Sequence, residues 1–187
     1  MTAPRFTSIT PESFTPEQKR IADAIQSGPR KAPLSGPFTV LLHSPTLCDL
    51  AQQMGAHIRF KSAIPPRVNE IAILMVGRKW NSQFEFHAHT IFGLEAGLSQ
   101  DLIDSLAQGK KPANMKPDEE AVYDFAADML DDGFVSDTNF NRVKALFGET
   151  GAADLVGALG FYCLISMTLN AGQVGVPEGI KPPLKAL

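Results

Sequence analysis

Residues 65–99 read PPRVNEIAILMVGRKWNSQFEFHAHTIFGLEAGLS, and the way this stretch folds decides the rest. It opens on two prolines, which suit the first turn of a helix, where the missing N–H would have had no partner. Behind them Val68, Ile71, Ala72, Met75 and Val76 recur at i, i+3, i+4, i+7 and i+8, the spacing of a buried helical face. Asn81 or Ser82 restarts the chain as a second helix that ends at Gly97. Ser82-Gln-Phe-Glu85 fits a capping box, in which serine and glutamate satisfy the orphan amides of a helix start. The stretch predicts two consecutive helices.

The flanks continue the pattern. Thr15-Pro16-Glu17-Gln18 is a second capping box, opening a helix over PEQKRIADAIQ. Residues 28–37, GPRKAPLSGP, are too rich in proline and glycine for regular structure. Phe38–Leu42 reads either as a short strand or as the first turn of a buried helix, because periodicity does not arbitrate so short a run. Ser44-Pro45 starts a helix to about Phe60, and Ser99 caps a short one ending near Gly109. After a polar loop, Pro117-Asp-Glu-Glu begins an amphipathic helix to Asp132, its acidic first turn matched to the helix dipole. Helices over 136–147 and 150–171 complete the set. The last is nearly apolar on all sides, so it belongs at the centre of the fold or in a subunit interface, with Gly157 and Gly160 admitting a second helix. The sum is an all-α domain of about eight helices spanning residues 1–187. An N-terminal helical extension runs to about residue 37, the core covers 38–172, and an extended tail, 173–187, wraps the surface or a partner chain.

Composition narrows the function. Seventeen basic against twenty acidic residues give a net charge of -3 with no basic block, so there is no electrostatic basis for nucleic-acid binding. No apolar run approaches the roughly 18–20 residues of a bilayer span, and MTAPRFTSITPESF lacks the apolar core of a secretory signal; a cytoplasmic location is expected. Cys48 and Cys163 sit far apart in sequence, each among apolar neighbours; spacing alone leaves a disulfide open, but the expected compartment argues against it, and they read as inert core thiols.

The chemistry-bearing residues cluster in WNSQFEFHAH. His87 and His89 are two residues apart, about 200° around a helix, so they cannot share a metal ion, and none is expected. Glu85 and His89 stand at i, i+4 on one strip, with Ser82 within roughly 60° of arc. Phe84 and Phe86 would exclude water nearby, a setting in which an imidazole and a carboxylate run proton transfers near neutral pH. Glu70, amid the apolar VNEIAIL, needs a partner if buried, and His89 is the one to name.

These residues carry a resemblance. The stretch from Pro65 onward looks like the core of the carboxymuconolactone decarboxylase family, which shares its fold with alkylhydroperoxidase D. The flanks GPFTVLLHSPTL, DEEAVYDFAADML and LGFYCLISMTLNAG resemble longer members, so the likeness covers about 140 residues. The peroxidase branch reads E-x11-C-x2-C-x3-H; here Glu70 matches the glutamate and His89 the histidine, while Ser82 and Glu85 stand where the cysteines would be. Dithiol chemistry needs thiolates, so the resemblance implies the decarboxylase-like side of the family rather than a peroxidase. It implies an alkylhydroperoxidase D-like helical fold, a homo-oligomer (dimer, trimer or hexamer), no cofactor, and a small carboxylated or lactone-type substrate. In that reading Glu70, Glu85, His89 and Ser82 line the pocket, and Trp80 and Phe84 form apolar walls. Arg78 or Arg67 would hold a substrate carboxylate. His43 lines the pocket or is a turn histidine bonded to backbone, and His57 is at the surface. The alternatives are a non-catalytic binding or structural protein, and a residual peroxidase activity.

Overall fold

Nearly every helix begins where the sequence supplies a proline or a capping side chain. The structure, a computed structural model, describes residues 4–29 and 34–185. Helix α1, Pro16–Ser27, opens on the expected reciprocal cap: Thr15 Oγ1 accepts from the Gln18 amide at 3.2 Å, and Gln18 Oε1 accepts from the Thr15 amide at 2.9 Å. Helix α2, Phe38–Leu41, settles the short ambiguous run as helix. Pro37 already sits in the helical region, and Phe38 and Leu41 bury one i, i+3 face, which an alternating strand would not do.

Six further helices follow: α3 Pro45–Phe60, α4 Pro66–Lys79, α5 Gln83–Glu95, α6 Gln100–Ala107, α7 Pro117–Asp131 and α8 Asp137–Gly172. Ser99 Oγ caps α6 at the Leu102 amide, 3.2 Å away. The two final helices expected from sequence run together as α8, but Gly148, at φ 71, breaks the helical geometry between them. Among the described residues there are eight α-helices and no strand.

Helix α4 is the axis of the fold, packed against α5, α7 and α8. It is buried on more than the predicted face: Ile73 and Leu74 join Val68, Ile71, Ala72 and Val76 in the core, while Met75 is only half-buried. Neighbours on several sides remove the solvent face that an amphipathic helix would keep.

Helix α8 departs from expectation. It contains an 18-residue window of mean hydropathy 1.6, so one helix is long and apolar enough, by length and composition, to cross a membrane. Glycine, alanine and threonine intersperse its larger apolar residues, so no unbroken apolar run marks the window. Half of the window is buried inside the fold, as in a core helix, through Leu155, Leu159, Tyr162, Ile165 and Leu169. Its other side exposes Val156 and Met167. Among the described residues no helix packs closely on Gly157 or Gly160: a Cβ at Gly160 would meet nothing within 4 Å, and one at Gly157 only the tip of Met54.

The tail folds back on its own chain. Val176 and Leu184 are buried, and Leu184 forms a two-point backbone contact with the Gln83 amide, at 3.0 and 3.1 Å, at the start of α5.

Candidate proton-transfer site

Helices α4 and α5 are joined by the tight turn 80–82, with Asn81 at φ 48, so they pack side by side and bring Glu70 to the strip carrying Glu85 and His89. The imidazole lies between two carboxylates: Nδ1 is 2.5 Å from Glu70 Oε2, and Nε2 is 3.0 Å from Glu85 Oε1. All three residues are buried. A neutral imidazole has one N–H, whereas both neighbours here are acceptors, so the arrangement selects the doubly protonated cation. Burial alone would push the His89 pKa down; the charges of Glu70 and Glu85, with their hydrogen bonds, outweigh it and raise it to about 9. Ring contacts fix the plane, with Tyr162 edge-on at 4.8 Å and Phe92 at 5.4 Å.

Glu85 and His89 face a cavity of about 250 Å³, whereas Glu70 sits behind them, outside the lining. Its walls come from several elements: Phe38 and Leu41 of α2, Phe84 and Phe92 of α5, and Phe161, Tyr162 and Ile165 of α8. Gly36, at φ 59, lets the preceding loop close on the Phe84 ring; a Cβ there would lie 2.4 Å from a ring carbon. One wall residue escaped the sequence reading. Arg59, in the last turn of α3, also lines the cavity, with its guanidinium carbon 4.1 Å from the centroid of the Phe92 ring. Its sequence context, HIRF at a helix end, reads as a solvated surface position, and nothing local marks it otherwise.

Glu70, Glu85, His89 and Phe84 are thus brought together; the other expected residues are not. Ser82 is fully buried but outside the cavity lining, and its hydroxyl has no hydrogen-bond partner. It does not cap α5 with its side chain; the Glu85 carboxylate that would complete the box turns to His89 instead, since a buried charge pairs with a charge before a neutral amide. Trp80 is half-exposed at the end of α4, its carbonyl accepting from Asn170 at 2.7 Å. Arg78 donates to Asn81 Oδ1 and the Lys185 carbonyl, both at 3.3 Å, and borders a separate depression of about 130 Å³ between α4 and α7. Arg67 is held by Asp118 and Glu119 in the acidic first turn of α7. His43 is the turn histidine, bonded to the Thr7 carbonyl at 3.0 Å and packed on Phe6. His57 is at the surface, 2.9 Å from Asp154.

Among the described residues no group of three His, Cys, Asp or Glu side chains has the geometry to hold a metal ion. Both cysteines are free thiols. Burial, with a smaller effect from the Asp49 charge, pushes Cys48 up to about 12; Cys163 is half-buried.

The chain matches no protein-family model and no curated protein. Among solved structures it is similar to the alkylhydroperoxidase AhpD core of an uncharacterized peroxidase-related protein from Ralstonia eutropha JMP134. That likeness has a TM-score of 0.77 at 16% identity and covers 95% of this chain and 94% of that one. The debrominase Bmp8, solved as a cysteine-to-alanine variant in complex with 2,3,4-tribromopyrrole, is similar with a TM-score of 0.72 at 9% identity, covering 94% of this chain and 95% of that one. At these identities the likeness shows the fold: an all-α, alkylhydroperoxidase D-like arrangement.

Proposed function

We propose that this protein is a proton-transfer enzyme on the alkylhydroperoxidase D-like fold, acting on a small carboxylated or lactone-type molecule. One observation carries the reading: a buried Glu70–His89–Glu85 chain whose front, Glu85 and His89, faces a cavity of about 250 Å³. A binding or structural relative would have no need to keep three ionisable groups buried beside an open cavity, because burying them is costly.

At neutral pH the imidazole is charged, so the site starts as an acid. In a decarboxylation, the bond from carbon to the departing carboxylate breaks, its electron pair enters a conjugated enolate, and CO₂ leaves. The proton on His89 Nε2 then forms the new C–H bond. Glu70 is a positioning residue: it holds Nδ1 and fixes the ring. Glu85 keeps Nε2 charged and takes part in its reprotonation from water entering the cavity. Apolar walls favour neutral CO₂ over the charged group it came from. That the fold accommodates a small ring is consistent with Bmp8, solved with a halogenated pyrrole.

Dithiol peroxidase chemistry is not part of the proposal. Ser82 and Glu85 carry no sulfur, and Cys48 has its thiolate strongly disfavoured. Exposed apolar side chains on α3 and α8, Leu50, Met54, Val156 and Met167, support the accompanying proposal that copies of the chain associate.

The test is deuterium incorporation into a panel of small lactones and unsaturated carboxylates in D₂O, followed by NMR. The wild type should label carbon, and His89→Gln should slow the reaction by about 10²–10⁴-fold. Undiminished labelling in the variant, or hydroperoxide turnover with a dithiol reductant, would overturn the reading.

A further inference from the structure

Arg59 stands apart from the other described arginines. Arg20 pairs with Asp49, Arg67 with Asp118 and Glu119, and Arg142 with Asp124 and Glu120. Arg78 and Arg5 donate to backbone carbonyls. Arg59 has only ring faces among the described residues, Phe92 at 4.1 Å and Phe60 at 5.2 Å. A stacked guanidinium still carries five N–H donors around its edge, in a fork that fits a carboxylate.

We propose that Arg59 is the specificity-determining residue of the cavity, taking a carboxylate carried on a flat, unsaturated body. The inference rests on the cavity assigned above and names what that cavity selects. Phe92 borders both groups, the guanidinium at 4.1 Å and the imidazole at 5.4 Å, so one small molecule lying along this ring reaches both. Charge balance points the same way. The imidazolium and two carboxylates leave one net negative charge, which would repel an anionic ligand; Arg59 cancels it. A cavity with the Glu85 carboxylate in its lining, Glu70 close behind and mostly apolar walls disfavours a doubly charged phosphate, so a singly charged carboxylate is the better match. The Arg59-bound carboxylate is distinct from any group that leaves as CO₂, because an ion pair to a departing carboxylate stabilises the ground state and slows its loss.

Benzoate and its neutral counterpart benzamide are the probes, measured at pH 7 by calorimetry and by chemical-shift changes at the His89 imidazole. The wild type should bind benzoate at least about tenfold more tightly than benzamide. Arg59→Met should weaken benzoate by about 10- to 100-fold, leave benzamide within about threefold, and remove the salt dependence of benzoate binding. Arg59→Lys, which keeps the charge and the aliphatic stem but not the fork, should fall between and guards against a folding defect in the methionine variant. Equal affinity of the wild type for both probes, no benzoate binding at all, or unweakened benzoate binding in Arg59→Met would overturn the proposal. Discrimination is read without turnover, so a failed proton-transfer assay leaves this test standing. A working His89-dependent reaction with no charge preference removes the Arg59 role alone.

Discussion

Replacing Glu70 by Gln tests the electrostatics of the site most directly. Glutamine has the same shape and can still accept from Nδ1, so the substitution removes the charge and little else. Raising an imidazole from 6.5 to about 9 is equivalent to about 3 kcal/mol favouring the cation. Two carboxylates supply that net gain against the penalty of burial, and Glu70 lies nearer, at 2.5 Å against 3.0 Å. In Glu70→Gln the His89 midpoint should therefore fall well below about 9, because the burial penalty remains while one of the two opposing charges is gone, read by NMR titration of the imidazole. The sign for stability follows from linkage. A group whose folded pKa is raised contributes stability that is complete below its unfolded value of 6.5 and disappears as pH rises through about 9. Urea denaturation should accordingly show the variant about 2–3 kcal/mol less stable than wild type near pH 6, with the gap shrinking by pH 10. A wild-type midpoint at or below 6.5, or a gap unchanged between these pH values, would refute the reasoning.

Other outcomes follow from the packing. Ser82→Ala removes a buried hydroxyl without a partner and should leave stability unchanged or raise it by up to about 1 kcal/mol; a loss of that size in denaturation would restore the capping role. Gly36→Ala places a methyl against the Phe84 ring at a positive φ, so a fall in stability of about 1–2 kcal/mol is expected, along with weaker benzoate binding by calorimetry. Native protein treated with iodoacetamide at pH 8 should be alkylated at Cys163, with Cys48 protected until denaturation by its burial and raised pKa; mass spectrometry showing Cys48 labelled first would contradict this.

Much of the architecture was legible because helix starts are local. Thr15 with Gln18, Pro45, Pro66, Ser99 and Pro117 each mark a helix start by chemistry within a few residues. Local rules failed where a tertiary partner outbid the local one. Ser82-Gln-Phe-Glu85 is a sound capping box on paper, yet Glu85 turned to a histidine one turn onward. The α8 segment reads as apolar all round, but only its neighbours decide which side is buried. Phe38–Leu42 was undecidable over its own length, and burial of one face settled it.

The sequence by itself determined the all-α class, the i, i+4 strip of Glu85 and His89, and the separation of His87 from it. It also singled out Glu70, since a glutamate in an apolar helix must find a charge. Only the tertiary structure decided which cation faces the cavity. Arg67 and Arg78 were the natural choices by proximity in sequence, but the acidic start of α7 holds one and the tail the other. Arg59, a helix away in the chain, is left beside the cavity with aromatic faces alone. Helix boundaries follow from backbone groups satisfied within a turn, whereas a long charged side chain takes whichever opposite charge the folded chain brings within reach.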